Sequence, residues 1–410
     1  MRLVHAADLH LDSPLRGLSR LGNCDLADTL RGASRRACEN LTDHVVEIRA
    51  DALLLAGDIY DGDWRDFQTG AFFVRQMARL HAENIPVFMI SGNHDAASEI
   101  TRSLRLPPNV RVLSTAAPQT VIDEDLGLAV HGQGFATRSV PENLVRAYPA
   151  RVAGLVNVGL LHTSVQGAEG HDTYAPCSVE DLLACRYEYF ALGHVHTRQA
   201  ICDGEHVAAF SGNLQGRHPR ETGPKGALVV EVEPGTRAEI RHEVLDVARW
   251  ESVDVDVSGC RDLDDVLDAV DTQLRGACVG AGSRALVARV TLAGESPAAA
   301  SLLDLDRVRT EIDLLAGKVG AAVEKVRITA RAPEAAGVVD AGLVASVTRA
   351  AAELVAHPGR VGELVAALDR EVGRRLREAG LLDLRDETEL GGLARRAEQE
   401  LLAHLGGPVG

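Results

Sequence analysis

At 410 residues the chain has room for two or three separately cored domains, and 46% hydrophobic with 25% charged residues is the composition of a folded globular protein. A formal net charge of −16 argues against a broad basic face that grips nucleic acid unaided. Seven cysteines without a Cys-x-x-Cys spacing point to free thiols in a reducing, cytoplasmic setting, and no apolar run approaches the roughly 20 residues that span a membrane.

The first 250 residues alternate strand and helix signals. Residues 2–7 read as a short strand, and residues 1–12 as this strand with a first motif rather than a leader. Residues 25–50 carry Leu26, Leu30, Ala33, Ala37, Leu41, Val45 and Ile48 at helical spacing, residues 52–56 form an apolar strand, 66–84 are helical, and 86–90 are a strand again. Two strand-helix-strand units in succession predict a parallel sheet in a layered α/β domain. After Pro107-Pro108 come short strands at 110–113, 120–123, 128–131, 156–162, 189–192, 207–211, 227–232 and 239–245, with a helix at 178–185. These predict a second, more antiparallel sheet packed on the first.

From about Trp250 a β-α-β-α-β pattern begins: strands at 253–257, 285–292 and 321–329, a helical stripe from Leu263 to Leu274, and a helix at 303–316. The stretch from Ala332 to Gly337 reads as a linker. The remainder is helical, with Val361, Leu364, Val365, Leu368, Val372 and Leu376 at helical spacing. The predicted domains are therefore 1–248, 249–332 and 339–410.

Five motifs close strand-like runs: Asp8-Leu9-His10, Gly57-Asp58, Gly92-Asn93-His94-Asp95, His162, and Gly193-His194-Val195-His196. Asp8 and His10 are two apart at a strand end, so both side chains leave one face. Asp58 ends the next strand, where a parallel sheet places its site, and its two oxygens can bridge two cations. The Asn93 amide oxygen can ligate one ion and leave His94 free for general-acid work. His162 can join a second ion, and His194 and His196 can serve one ion each. Ligation by nitrogen and oxygen without thiolate suits Mn, Fe or Zn better than Ca. Each piece alone has an ordinary reading as a turn, a loop pair or a core histidine, and only the conjunction specifies a site. The other ten histidines read as structural, including His5, His131, His171 and His218.

Together the five motifs resemble those of the calcineurin-like metallophosphoesterases. The opening Val4-His5-Ala6-Ala7-Asp8-Leu9-His10-Leu11-Asp12-Ser13-Pro14 resembles the SbcD-type DNA-repair exonucleases, and Gly212 through Gly223 is similar to the YhaO-like group. The resemblance is strong over residues 1–230. It implies a four-layer αββα sandwich, a small α/β cap domain and a helical C-terminal tail. It also implies two divalent ions, foremost Mn2+, with Fe2+ or Zn2+ as alternatives. One ion would take Asp8, His10, Asp58 and His196, and the other Asp58, Asn93, His162 and His194, with His94 as the catalytic histidine. Some relatives carry a second histidine three residues after the bridging Asp. Here Asp61 stands in that place, either orienting His94 or serving as a plain loop carboxylate.

The implied activity is two-metal hydrolysis of phosphodiester bonds, as a DNA exonuclease with endonuclease action also open. A small-molecule phosphodiesterase or phosphatase is the rival reading, and a non-catalytic subunit a third. By the resemblance the partners are DNA and a coiled-coil SMC-like ATPase. A homodimer through residues 66–84 and docking of the ATPase on residues 361–376, beside Arg370, Arg374, Arg375 and Arg377, go with it. Packing of that stripe on the chain's own cap is the alternative. Arg217, Arg220 and Lys225 sit in one loop and read either as phosphate or partner contacts or as solvated side chains.

Overall fold

The computed structural model describes residues 1–13, 24–61, 67–96, 104–165, 174–333, 341–378 and 382–405. His171 and most of the expected linker at 332–337 lie outside them. Contacts divide the chain into two compact units, residues 1–251 with 279–288, and residues 252–278 with 289–410.

In the first unit, the apolar runs become strands β1 (Arg2–Ala6), β2 (Ala52–Ala56), β3 (Val87–Ile90) and β4 (Val110–Val112), paired in parallel in that order. Helices α1 (Cys24–Arg31), α2 (Ala33–Glu47) and α3 (Phe67–Ala82) form the crossovers. The single helix expected over 25–50 is broken at Gly32, which precedes α2. A second sheet contains β5 (Gln119–Asp123), β6 (Leu128–Gly132), β7 (Val156–His162), β8 (Tyr189–Gly193), β9 (Gln199–Asp203) and β10 (Val207–Phe210), in the order β5-β6-β7-β8-β10-β9.

Two expectations fail here. Strands β11 (Gly226–Glu231) and β12 (Glu239–Val244) join the first sheet, β11 antiparallel to β1, and β4 also belongs there. Nor is the second sheet mainly antiparallel: β6, β7, β8 and β10 run parallel, and only its two edge pairs are antiparallel. The reason is burial on both faces. Every residue of β6, β7 and β8 is buried, as strands at the centre of a covered sheet must be.

Alternation along the strands separates the layers. Leu3, Leu54, Phe88 and Ile90 face between the sheets, where they meet Val130, Val158, Leu160, Tyr189 and Ala191. Val4, Ala6, Leu53, Leu55 and Met89 face outward onto Ala37, Leu41 and Val45 of α2 and Phe73 and Met77 of α3. Leu161, Phe190, Leu192 and Phe210 face away on the other side, covered by Val145, Tyr148 and Leu182. The result is the αββα sandwich, whose outer layer on the second sheet includes, among the described residues, a 3-10 turn (Val145–Ala147) and a short helix α4 (Val179–Ala184). With aromatics at 3%, these cores rest on aliphatic packing, and trimming a fully buried leucine such as Leu54 costs about 2–5 kcal/mol.

The small sheet β13 (Ala248–Asp256), β14 (Ala285–Ala293) and β15 (Ala321–Ile328) is ordered β13-β14-β15, and helices span Leu263–Ala281 and Leu305–Lys318. Within the second unit, helices Ala341–Ala356, Pro358–Leu368 and Glu387–Leu405 share a core of Val361, Leu390 and Ala394, and the last also touches the 3-10 segment Pro297–Leu303. The stripe at 361–376 does not form one face: Val361 is buried while Leu364 is 72% exposed. A π-helical turn over Asp369–Gly373 changes the helical phase inside it. Among the described residues no helix is long and apolar enough to cross a membrane.

Candidate metal centre

All five motifs meet where β1, β2, β3, β7 and β8 end. The loops after β1 and β2 run side by side, with Asp8 N donating to Gly57 O and His10 N to Asp58 O, both at 3.0 Å. The expectation that Asp8 and His10 project as alternate strand residues fails, because β1 stops at Ala6. They converge through left-handed backbone, with φ of 52° at Asp8, 41° at His10 and 54° at Asp58. His194, at φ 101°, is similarly strained. Non-glycine residues held in this region mark a site over-determined by its surroundings.

Glycines allow the close approaches. A Cβ at Gly193 would lie 2.0 Å from Ala56 O and 2.9 Å from His162 Nδ1. One at Gly92 would lie 2.3 Å from Asp58 Oδ1.

Three imidazoles have Nδ1 directed at an oxygen and Nε2 directed into the cleft. His162 Nδ1 donates to Ala56 O at 2.9 Å, leaving Nε2 2.9 Å from Asn93 Oδ1 and 3.4 Å from Asp58 Oδ2. His196 Nδ1 donates to Glu221 Oε1 at 2.7 Å. His10 Nδ1 lies 3.5 Å from Asp61 Oδ1, and its Nε2 faces His196 Nε2 at 3.2 Å. The Nε2 atoms therefore face one another and carboxylate oxygens, an arrangement that a shared cation reconciles. That is the behaviour of histidines whose outer nitrogen is fixed so that the inner one can bind metal. Among the described residues, candidate ligand atoms within 4.8 Å of one another form three overlapping groups: Asp8, His10 and His196; Asp8, Asp58 and His162; and His10, Asp58 and His94.

The remaining candidates lie around these groups. Asn93 joins through its contact with His162. His194 donates its backbone N–H to both oxygens of Asp8, at 3.0 and 3.2 Å, and packs its ring 5.3 Å from that of His162. His94 Nδ1 is 2.9 Å from Asp61 Oδ1, so Asp61 orients it, and its backbone N–H donates to Asp58 Oδ1.

Electrostatics agree with a cation-binding cleft. Burial raises the Asp8 carboxyl. Burial also opposes the charge of Asp58, yet His162 and His10 hold that carboxyl well below the usual range. Burial, then Arg217, lowers His10 to about 3, keeping it neutral as a ligand must be. Burial opposes the charge of His162 as well, but Asp58 brings it up to about 9 in the absence of metal.

Other residues fall away from the cleft or support it. His5 lies between the sheets with Nδ1 2.8 Å from Tyr189 Oη. His131 is stacked on Tyr187 and bonded to Thr120 and Asn157, and His218 is exposed. Of the loop basics, Arg220 is exposed, whereas Lys225 is buried and donates to His196 O at 3.2 Å, so it braces a motif.

Sequence reading missed three supports. Asp95 Oδ1 accepts from Ile59 N and Tyr60 N, and its Oδ2 accepts from Gly92 N, all within 2.9–3.0 Å. Glu221 holds His196, and Arg217 donates to Asp61 Oδ2 at 3.3 Å and to Ser13 Oγ at 2.9 Å. Asp95 was visible as the last letter of its motif. Glu221 lies in the 212–223 stretch, but nothing in its spacing points to His196.

Known proteins match this arrangement. The calcineurin-like phosphoesterase family matches residues 1–198, and the middle domain of metallophosphoesterase YhaO matches residues 250–331. The chain is 32% identical over 277 residues to the uncharacterized metallophosphoesterase YhaO of Bacillus subtilis, covering 66% of this chain and 67% of that protein. It is 23% identical to the SbcD component of the nuclease SbcCD of Staphylococcus epidermidis, with 57% and 66% covered. It is also 23% identical to the DNA double-strand break repair protein Mre11 of Sulfurisphaera tokodaii, with 52% and 53% covered. With the sandwich, the converging motifs and these matches in place, the chain belongs to the calcineurin-like phosphoesterases, divalent-metal enzymes, and carries the YhaO middle domain.

Proposed function

We propose that the enzyme is a Mn2+-dependent DNA exonuclease of DNA repair that works with a coiled-coil SMC-like ATPase. The observation that carries phosphoester hydrolysis is the convergence of His10, His162 and His196 by Nε2 on Asp8, Asp58 and one another, with His162 and His196 anchored at Nδ1. In this reading Asp8, His10, Asp58 and His196 hold one ion, and Asp58, Asn93, His162 and His194 hold the other. Bound there, the ions supply an activated water and neutralise charge on the phosphoryl oxygens. Asp61 accepts from His94 Nδ1 and so turns Nε2 toward the substrate side, where His94 delivers a proton to the departing oxygen. Burial opposes the charge of His94, but the Asp61 hydrogen bond and then Asp58 raise its pKa, which suits that role.

The choice of DNA as substrate is supported by two relatives named as part of a nuclease and as a break-repair protein. The described residues beyond 250, none of which is among the candidate ligands, also support it. A phosphatase for small molecules has no evident use for them.

The test compares linear duplex DNA, bis-p-nitrophenyl phosphate and nucleotide monoesters with added Mn2+. Hydrolysis of DNA is expected. His94→Ala should retain metal and lose about 10²–10⁴-fold in turnover, the usual contribution of a positioned acid. Activity on monoesters alone would replace this reading with a small-molecule phosphatase, and unimpaired cleavage by the variant would remove His94 from the chemistry.

A further inference from the structure

The loop between β10 and β11 does more than connect two sheets. It leaves the second sheet at Phe210, passes the metal centre, and enters the first sheet at Gly226. On the way it turns two charged side chains inward. Glu221 Oε1 accepts from His196 Nδ1 at 2.7 Å, while its Oε2 accepts from Asn213 Nδ2 at 3.0 Å and from Arg217 N at 2.6 Å. All three partners are donors, and they occupy both oxygens. Arg217, in the same loop, reaches Asp61 and Ser13. Trp250 Nε1 donates to Gly216 O at 3.0 Å and Gly223 N to Trp250 O at 3.2 Å, which hold the loop's path.

We infer that Glu221 is a positioning residue that sets the affinity of one of the two metal subsites, the one served by His196, by fixing that ring with Nε2 toward Asp8 and His10. The inference rests on the two-metal reading above and deepens it. The chemistry singles out a carboxylate. With glutamine in this place, an amide oxygen can face either His196 Nδ1 or the pair Asn213 Nδ2 and Arg217 N, but not both. If the amide oxygen stays with the loop donors, the NH2 faces Nδ1. That favours the tautomer protonated on Nε2, which cannot ligate. If it turns to His196, the loop donors meet an NH2 group. Either way the ring is less well presented, although Glu221→Gln preserves shape and bulk.

The experiment titrates Mn2+ into metal-free full-length protein by calorimetry, for wild type, Glu221→Gln, His196→Ala and the double variant. Thermal melts of the metal-free forms run alongside. Two ions are expected to bind wild type. Glu221→Gln is expected to weaken one of them by about 10–100-fold, the usual loss when the outer partner of a metal-bound histidine is removed, and to leave the other unchanged. In the His196→Ala background the same change should cause almost no further loss, because its route runs through that ring. Two unchanged affinities in Glu221→Gln, or an equal loss with and without His196, would overturn the inference while leaving the two-metal reading intact. A uniform loss at both ions with a lowered melting temperature would make Glu221 a general support of the fold and overturn it too. Failure of wild type to bind two ions would remove the underlying reading, and this inference with it.

Discussion

Replacing His5 by glutamine separates a structural histidine from the proposed ligands by its effect on acid stability. His5 lies one residue before Ala6, the last residue of β1, fully buried between the sheets, with Tyr189 Oη 2.8 Å from Nδ1. Burial lowers its pKa from 6.5 to about 3. The folded state therefore keeps the ring neutral where the unfolded chain would protonate it. Its contribution is fully present above the unfolded value and is lost as pH falls from there toward the folded one. Each unit is worth 1.36 kcal/mol, so at pH 5 the penalty is about 1.5 units, or about 2 kcal/mol. Glutamine cannot titrate but keeps an acceptor for the tyrosine hydroxyl. Urea denaturation of metal-free wild type and His5→Gln at pH 7.5 and pH 5 is the assay, with stabilities compared within each pH. The variant should lose less stability on acidification, by about 2 kcal/mol, whatever its offset at pH 7.5. Parallel losses in the two proteins would show that His5 is protonated at little cost, and that its environment is not the closed apolar layer described above.

Two further outcomes follow from the same geometry. Gly193→Ala places a Cβ 2.0 Å from Ala56 O, the carbonyl that anchors His162 Nδ1. Overpacking of this kind costs about 1–3 kcal/mol or more, and here it should also weaken Mn2+ binding; an unchanged urea midpoint with unchanged metal titration would contradict the packing. A chain ending at residue 338 should keep metal binding and hydrolysis of bis-p-nitrophenyl phosphate yet fail to co-purify with a coiled-coil ATPase that the full chain captures. Retained capture would reject the helical tail as the docking region.

The first sheet was readable from sequence because its central strands are unbroken apolar runs separated by helices of clear period. Leu53, Leu54 and Leu55 must be buried whichever way they point, so no register is needed to recognise β2. What could not be read was the return of the chain. β11 is as apolar as the strands of the second sheet, and only its pairing with β1 assigns it to the first. Sequence order therefore suggested the wrong neighbour. In the tail the stripe from Val361 to Leu376 has the spacing of one helical face, but one π-helical turn divides it, and Leu364 ends in solvent. Periodicity reports a face only while the helical repeat is constant.

The same limit applies inside the metal centre, with a consequence for mechanism. Motif spacing found the inner atoms because each motif sits where a strand ends, and strand ends meet in a layered α/β fold. It could not find what turns those atoms inward. Ala56 O acts on His162 from across the sheets, Glu221 acts on His196 from 25 residues away, and Asp61 stands beside both His10 and His94. A backbone carbonyl has no sequence signature, and Glu221 lies in a loop of turn-forming residues. Yet a histidine with the wrong tautomer is no ligand, so these partners decide whether the inner set can bind a cation at all. Asp61 extends the argument, since it approaches one histidine proposed to bind metal and one proposed to move a proton. Arg217, held at its second oxygen, ties that carboxylate to the loop that also carries Glu221. One loop therefore supports both the proposed metal shell and the proposed proton donor, so damage to it should reach each of them in a way that loss of a single ligand would not.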